Sequence, residues 1–423
     1  MFFTAENCSK SPVEAADEYF DLLIKSRFVE EFGNIQTNSK GWKTNKLGSL
    51  ATFKTGGTPS SKHPEYYEGT IPFISTPALG PNYIDETSAK YKITEAAINS
   101  CATTLIPAGS LIVGTRINVG KSSINTVNLC TNQDIVSLMD VSKKYELLFL
   151  KHCIDQYIPY LDSQKKGATI KGITTELLKS ISIPEPPIEQ QKSYVDFVKQ
   201  VDKSKVKFHQ LIESYDTLIK SRFVEIFGDP VSNPKGWEKK KLRDLLIIER
   251  GGSPRPISAF VTDDENGLNW IKIGDAVEES YYIDHVEEKI KPEGLNKTRQ
   301  VYPGDLILSN SMSFGKPYIL NISGCIHDGW LVLRDSKEVF NKLFLCMALG
   351  CPTVTHTFQS MARGAVVKNL NKDLVGNFDM FLPPRKLQDE FVQFIKQVDK
   401  SKFEVIYRLQ KLKESISPTA PSE

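Results

Sequence analysis

Residues Leu22–Asn34 read LLIKSRFVEEFGN and Thr217–Asp229 read TLIKSRFVEIFGD, ten identities in thirteen at an offset of 195. The same offset carries Gly41-Trp42 onto Gly236-Trp237 and Gly56-Gly57-Thr58-Pro59 onto Gly251-Gly252-Ser253-Pro254. It also carries Gly120-Lys121 onto Gly315-Lys316 and Cys130 onto Cys325. Further along the offset becomes 197, where Pro186-Pro187 matches Pro383-Pro384 and VKQVDKSK at Val198–Lys205 matches IKQVDKSK at Ile395–Lys402. So steady an offset over separated matches means two copies of one unit. The period is too long for a solenoid, whose repeats run to roughly 20–50 residues. The N-terminal piece, Val13–Gly33, matches the end of the central region, and the C-terminal copy stops near Ile416 before any IKSRFVE segment. The N-terminal piece is therefore expected to supply what the C-terminal copy lacks, in a cyclic, pseudo-two-fold repeat.

After Pro186-Pro187 there is no Gly or Pro until Gly228. Tyr194, Val198, Val201, Phe208 and Ile212 recur in steps of three and four, the seam of a coiled coil. Ile188 to Phe227 as one helix would be about 60 Å long at 1.5 Å per residue, and Gly228, Asp229 and Pro230 stop it. In the second copy Phe391, Ile395, Val398, Val405 and Leu409 keep the register. Lys205 and Lys402 fall at the same seam position, where a lysine either selects register or reaches out along its aliphatic stem. A helix this amphipathic must pair, and the two copies are expected to pair antiparallel, as a spacer between two similar domains.

Between the helices, each copy begins with Gly-Trp and continues into a Gly-Gly turn before Ser/Thr-Pro. Strand-like runs are expected at Ile71–Ser75, Ser110–Gly114 and Ile135–Met139, and in the second copy at Trp270–Ile273, Asp305–Ser309 and Gly329–Leu333. Apolar helical runs follow at Tyr145–Ile158 and Lys337–Leu349. The class is α+β, two tandem α/β domains separated by long helices that form an antiparallel coiled coil.

The chain of 423 residues has 53 Lys and Arg against 51 Asp and Glu, so its net charge of +2 does not advertise a nucleic-acid binder. The sum is silent on where the charges sit. Seven cysteines without a C-x-x-C pair argue against a zinc site or a disulfide framework and fit a reducing cytosol. The start, MFFTAENCSK, does not read as a signal peptide, and the richest apolar run, Tyr145–Ile154, is broken by Glu146, Lys151 and His152, so no membrane span is expected. Catalytic motifs are wanting. GTRINVGKSS at Gly114–Ser123 has five residues between its glycines where a phosphate loop needs four, and the repeat partner SNSMSFGKPY has Pro317 in place of the Mg²⁺-binding hydroxyl. The six histidines show no ligand spacing. No catalytic residue and no metal site is expected.

Basic residues collect around the Gly-rich turns and could hold phosphates. In the first copy these are Lys62, Arg116, Lys121, Lys165, Lys166 and Lys171. In the second they are Arg250, Arg255, Lys316, Arg363 and Lys368. Gln133 and Asp328 are repeat-equivalent and are either base readers or turn residues, and His327 is a further candidate in the second copy.

The chain resembles the specificity subunit of Type I restriction–modification systems over essentially its full length. The resemblance rests on Gly-Trp followed by KLGSLATFKTGGTPS, on TRINVGK, on TNQDIVSL at Thr131–Leu138, and above all on KKGATIKGITTELLKSISIPEPPIEQQ at Lys165–Gln191. The second copy is looser, with CIHDGWLVL and ARGAVVKNLNKDLVGNFDMFLPPRKLQDEF in the matching places. The resemblance implies target recognition domains at 41–187 and 229–384 and a central conserved helix at 188–228. It implies also a C-terminal conserved helix and tail at 385–423, completed by a helical segment at 1–40. It implies a cytoplasmic, non-catalytic protein that reads a split, asymmetric site on double-stranded DNA, one half per domain, with the residues above as DNA contacts. The helices would dock two modification (methyltransferase) subunits, which use S-adenosylmethionine, and restriction/translocase subunits, which use ATP and Mg²⁺, would join them. This chain would bind no cofactor itself. Two alternatives stay open: an orphan DNA-recognition protein acting in methylation only or as a regulator, and a self-contained enzyme with an unrecognised site.

Overall fold

The computed structural model describes residues 12–166, 171–277, 280–310, 314–363 and 369–416. Three long helices frame the chain: Pro12–Phe32, Ile188–Phe227 and Arg385–Ile416. Ala15–Lys207 falls in one compact unit and Phe208–Leu409 in another, so the continuous central helix gives its first half to one and its second half to the other.

Each unit buries its part of the central helix against a different partner. In the N-terminal unit the Tyr194 ring meets Phe28 and Phe32 edge-on, at 5.5 and 5.3 Å between centroids. Near the other end of this pair, the Lys205 ammonium lies 3.4 Å from both Asp17 and Asp21. Numbers rise on one helix as they fall on the other, so the pair is antiparallel. In the C-terminal unit Phe391 meets Phe223 and Phe227 at 5.6 and 5.4 Å, and Lys402 reaches Asp216 at 2.9 Å. The N-terminal helix therefore fills in its unit the place that Phe208–Phe227 fills in the other.

The seam lysines do both things the sequence allowed. Their stems lie half-buried while their ammonium groups pair with carboxylates of the facing helix. Partly exposed ion pairs of this kind add little stability, but a pair at the same position in both units fixes register. Tyr194, Val198, Val201, Phe208, Ile212, Phe391, Ile395 and Val398 are buried. Val405 and Leu409 are only half-buried, and Ile406 takes the buried place beside Val405. A straight helix of 3.6 residues per turn drifts from a 3.5-residue seam.

Both helix ends are closed alike. Gly33 and Gly228 take positive φ of 75° and 76°. The Trp42 and Trp237 indole N–H groups donate to the last helical carbonyls, Phe32 O and Phe227 O, at 3.2 and 2.9 Å. Those carbonyls would otherwise lack partners, which is the physical role of the Gly-Trp pair.

The body of the N-terminal unit is a five-stranded sheet in the order Thr52–Thr55, Ile135–Met139, Leu111–Gly114, Ser122–Asn125, Tyr83–Ile84. In the C-terminal unit the order is Ile247–Arg250, Trp330–Arg334, Leu306–Ser309, Pro317–Leu320, Tyr282–Ile283. Within each, only the last pairing is parallel. The helix Leu147–Gln156 packs its Phe149 among Phe28, Phe32 and Tyr194, joining sheet and long helices in one core. The strand-like runs form with shifts of up to two residues, but the run expected at Lys337–Leu349 becomes helical only at Lys342. Asp335 accepts from the Phe340 N–H and Asn341 caps the helix through Leu343 N–H, which holds the preceding segment as a loop.

A buried glutamine begins each long helix after the Pro-Pro pair. Gln191 accepts from Glu146 N–H (3.0 Å) and donates to Lys144 O and Pro186 O (3.0 and 2.9 Å). Gln388 accepts from Asn341 N–H (2.8 Å) and donates to Pro383 O (2.9 Å). Replacing Gln388 by Ala leaves these backbone groups buried and unpaired, and is expected to cost about 1–3 kcal/mol. Denaturant unfolding of the full chain, followed by a probe in the C-terminal unit, measures it. An unchanged midpoint would show that the clamp adds no stability.

Candidate nucleic-acid interface

The antiparallel strands of each sheet bring separate loops to one end. In the N-terminal unit the end of Thr52–Thr55, the start of Ile135–Met139, the end of Leu111–Gly114 and the start of Ser122–Asn125 all lie there. A fourth segment joins through Ile173 N–H, which donates to Thr115 O at 2.8 Å. Thus the Gly56-Gly57 turn, the Thr115–Lys121 loop, Asn132–Asp134 and the described residues Lys166, Gly172 and Ile173 meet, although they are scattered in sequence. The C-terminal unit repeats the arrangement, with Leu370 N–H donating to Asn310 O at 3.1 Å.

The Gly-Gly turn is there because it docks on backbone. Gly56 N–H donates to Ile135 O and Gly57 N–H to Thr131 O, at 3.1 and 3.0 Å. A Cβ on Gly56 would lie 2.2 Å from Asn132 O, and one on Gly251 would lie 2.1 Å from His327 O. The next hydroxyl then fastens the turn: Thr58 donates to Gln133 Oε1, and Ser253 donates to Asp328 Oδ1 at 2.7 Å. Gln133 and Asp328 therefore hold equivalent places, and these are the bonds of turn braces. The Ser253 hydrogen bond, ahead of His327 and Arg255, holds the Asp328 carboxyl below the usual carboxylate range. Arg255 lies 3.7 Å from the same carboxylate, and Arg250 Nε donates to Asp328 O at 3.1 Å.

The loop that resembles a phosphate loop joins two antiparallel strands, Leu111–Gly114 and Ser122–Asn125, and no helix follows it. Asn118 and Gly120 take positive φ of 58° and 78°. Arg116 is exposed on this loop and pairs with Asp134 at 3.2 Å. Lys62, Lys121, Gln133, Lys166 and Lys171 are exposed. Lys165 is half-buried and its ammonium is engaged by Asp162 of the same segment, so it is presented less than its neighbours. Lys316 lies over the Tyr318 ring, 5.8 Å from its centroid. His327 accepts from Gly329 N–H at 2.6 Å, and burial pushes its pKa down. The side chain of Arg363 and the whole of Lys368 lie outside the described residues.

One arrangement was not legible in the sequence. His152 is buried; its Nδ1 accepts a hydrogen bond from the Tyr194 hydroxyl at 2.6 Å, and its Nε2–H donates to Asn82 Oδ1 at 3.0 Å. Asn82 Nδ2 in turn donates to Asp202 at 2.9 Å. Burial depresses the His152 pKa to about 3, so it is a neutral relay and not a charged group. The chain of bonds fastens the sheet edge at Tyr83–Ile84 to the central helix. Among the described residues no group of three or more His, Cys, Asp or Glu is placed to hold a metal, and no helix is long and apolar enough to cross a membrane.

The chain is thus a duplicated mixed domain, each copy gathering polar and basic loops at one sheet end. The chain belongs to the Type I restriction modification DNA specificity domain family, whose model matches residues 39–214 and 234–414. Among its relatives, the MjaIX specificity subunit of a Type I restriction enzyme of Methanocaldococcus jannaschii is 28% identical over 254 residues, 55% of this chain and 58% of that one. The EcoR124I/EcoR124II specificity subunit of Escherichia coli is 32% identical over 168 residues, 38% and 40% of the two chains. These alignments span 58% or less of either relative. A solved structure described as showing complex assembly and conformational transition of the type I R-M system shares the fold. It aligns with a TM-score of 0.57 at 19% identity, covering 89% of this chain and 96% of that one.

Gly251→Ala should push its turn off the His327 carbonyl and release the Ser253–Asp328 bond. Amide hydrogen exchange of Gly252 and Asp328 is expected to rise in the variant while the long helices stay protected. Unchanged exchange would mean that the turn tolerates a methyl group.

Proposed function

We propose that this chain is the DNA-reading, non-catalytic subunit of a Type I restriction–modification complex. Each unit reads one half of a split, asymmetric site on double-stranded DNA. The observation that carries this reading is the loop-lined sheet end built twice on one frame from different residues. Where the N-terminal unit offers Gln133 in the brace position, the C-terminal unit has Asp328; where one has Lys54 and Thr55, the other has Glu249 and Arg250. Phosphate contacts place a protein on DNA and groove contacts distinguish bases, so a shared frame with altered loops suits two readers of unlike sequence.

The long helices are the proposed docking elements for two modification subunits, with restriction/translocase subunits joining that complex in the cytoplasm. S-adenosylmethionine, ATP and Mg²⁺ belong in this reading to those partners. The central helix, continuous from Ile188 to Phe227, would set the gap between half-sites. Base pairs rise about 3.4 Å each, against 1.5 Å per helical residue.

Co-expression with candidate modification subunits, followed by mapping of methylated adenines, tests the proposal. The expected result is one bipartite motif with a fixed gap, and no methyl transfer by the purified chain alone. Inserting one heptad after Lys203 is expected to shift or abolish the gap. An unchanged gap would remove the spacer role, and methyl transfer by the chain alone would overturn the non-catalytic reading.

Arg116 is proposed to reach a base edge, since a guanidinium suits guanine O6 and N7. Arg116→Ala is then expected to lower affinity for the specific site by about 1–3 kcal/mol and non-specific affinity by less. Equal losses on both DNAs would make Arg116 a phosphate contact.

A further inference from the structure

A cavity of about 480 Å³ opens beside the first strand of the C-terminal sheet, walled by Glu249, Arg250, Arg299, Asn371, Lys372 and Asp373. It adjoins the loop-lined end. Arg250 runs directly into the Gly251-Gly252 turn, and Asn371 follows Leu370, which is bonded to Asn310 O. Arg299 follows Lys297-Thr298, the backbone against which Gly252 packs.

Three of the walls are cationic and two are acidic, and of the acidic ones Glu249 is already paired. Glu249 is bridged by Arg299 at 3.3 Å and by Arg334 at 3.0 Å. Asp373 stands in the first turn of a short helix capped by Asn371, which accepts from the Asp373 and Leu374 backbone N–H groups, and the Asp373 carboxylate itself is exposed. Arg299 Nε is buried and has no hydrogen-bond partner. The Arg299 side chain as a whole is 43% exposed, and its Nη1 is the atom that faces Glu249. Lys372 and Arg250 are exposed, so the cavity is open to a large partner.

The N-terminal unit carries different side chains at the matching positions. At the repeat offsets Glu249, Arg250 and Lys372 are replaced by Lys54, Thr55 and Thr175. The difference is therefore a property of one reader and not of the shared frame.

We propose that Arg250, Arg299 and Lys372 seat one backbone phosphate of the DNA half-site read by the C-terminal unit. The proposal rests on the DNA-reading function above and adds an anchor whose side chains differ in the N-terminal unit. Arg299 and Lys372 supply charge and N–H donors to a non-bridging phosphate oxygen, with geometry suited to a guanidinium beside an ammonium. Such a contact positions the unit on the duplex without reading a base.

The test uses the full chain in complex with its modification subunits. DNA carrying the mapped site is made with single neutral methylphosphonates stepped along the half-site of the C-terminal unit. In the wild type one replacement is expected to weaken binding several-fold. In Arg299→Gln/Lys372→Gln that same replacement should cause no further loss, and the slope of log affinity against log salt should become shallower by about one. Lys372→Gln alone, at an exposed position, gives the same pattern in smaller measure if the double variant fails to fold. Additive losses with an unchanged salt slope, while the wild type still binds its site, would overturn the phosphate seat and leave the DNA-reading function standing. Failure of the wild-type complex to prefer any DNA would overturn both. Saturable calorimetric binding of inorganic phosphate without DNA, lost in Lys372→Gln, together with additive behaviour on DNA, would assign the cavity to a free anion and overturn the proposal.

Discussion

A helix of 40 residues that carries Tyr194, Val198, Ile219 and Phe223 on its buried stripe cannot stand alone in water. Burying a large apolar side chain contributes about 1.5–3 kcal/mol, so leaving the stripe exposed would forfeit most of the helix's reason to form. The chain meets this demand twice. Near one end of the helix Tyr194 is closed in by Phe28, Phe32 and Phe149; near the other, Phe223 and Phe227 are closed in by Phe344 and Phe391. Each knot contains one ring from the short helix of the adjoining sheet domain, Phe149 or Phe344. The same contacts that pair the long helices therefore also seat the sheet, and the loops at its end inherit their position from that seat.

The two seats are not chemically alike. In the N-terminal unit the Tyr194 hydroxyl donates to His152, and the bonds continue to Asn82 and Asp202. In the C-terminal unit Phe391 stands at the repeat position of Tyr194, and the partly buried Tyr281 packs against the core that includes it. Burial raises the Tyr281 hydroxyl pKa as it raises that of Tyr194. Hydrogen bonds are directional and dispersion contacts are not. The first seat thus adds a chain of donors and acceptors at Tyr194, where the second places the apolar ring of Phe391. A duplicated frame can keep its backbone while the means of holding it diverges.

This separation also explains which parts could be read from the sequence. The repeat, the helix limits at Ile188 and Phe227, and most of the seam followed from periodicity, because a coiled-coil stripe is written in local spacing. Gly56 and Gly251 were legible as turns, but what they dock on was not, since Asn132 and His327 are about 75 residues away along the chain. Lys165 looked as available as Lys166 until its carboxylate partner, Asp162, was in view. His152 looked like a scattered histidine, because Tyr194 and Asn82 reach it only after the sheet has closed on the helix. Arg299 and Lys372 carried no motif at all; their importance comes from sharing a cavity wall.

The near-neutral total charge has a local origin of the same kind. The seam lysines Lys205 and Lys402 are answered by Asp17, Asp21 and Asp216, and Arg334 by Asp305 and Glu249. Those carboxylates enter the chain total with the same weight as any others, yet within about a Debye length of 10 Å they act on the groups they touch. At the loop-lined sheet ends cations stand exposed: Lys121, Lys166 and Lys171 in one unit, and in the other Arg250 and Lys372 on a cavity that also holds Glu249 and Asp373. A polyanion approaching such an end responds to those nearby cations, not to a sum taken over both units. The salt dependence of binding should therefore count local contacts, and a chain with a net charge of +2 can show a steep one.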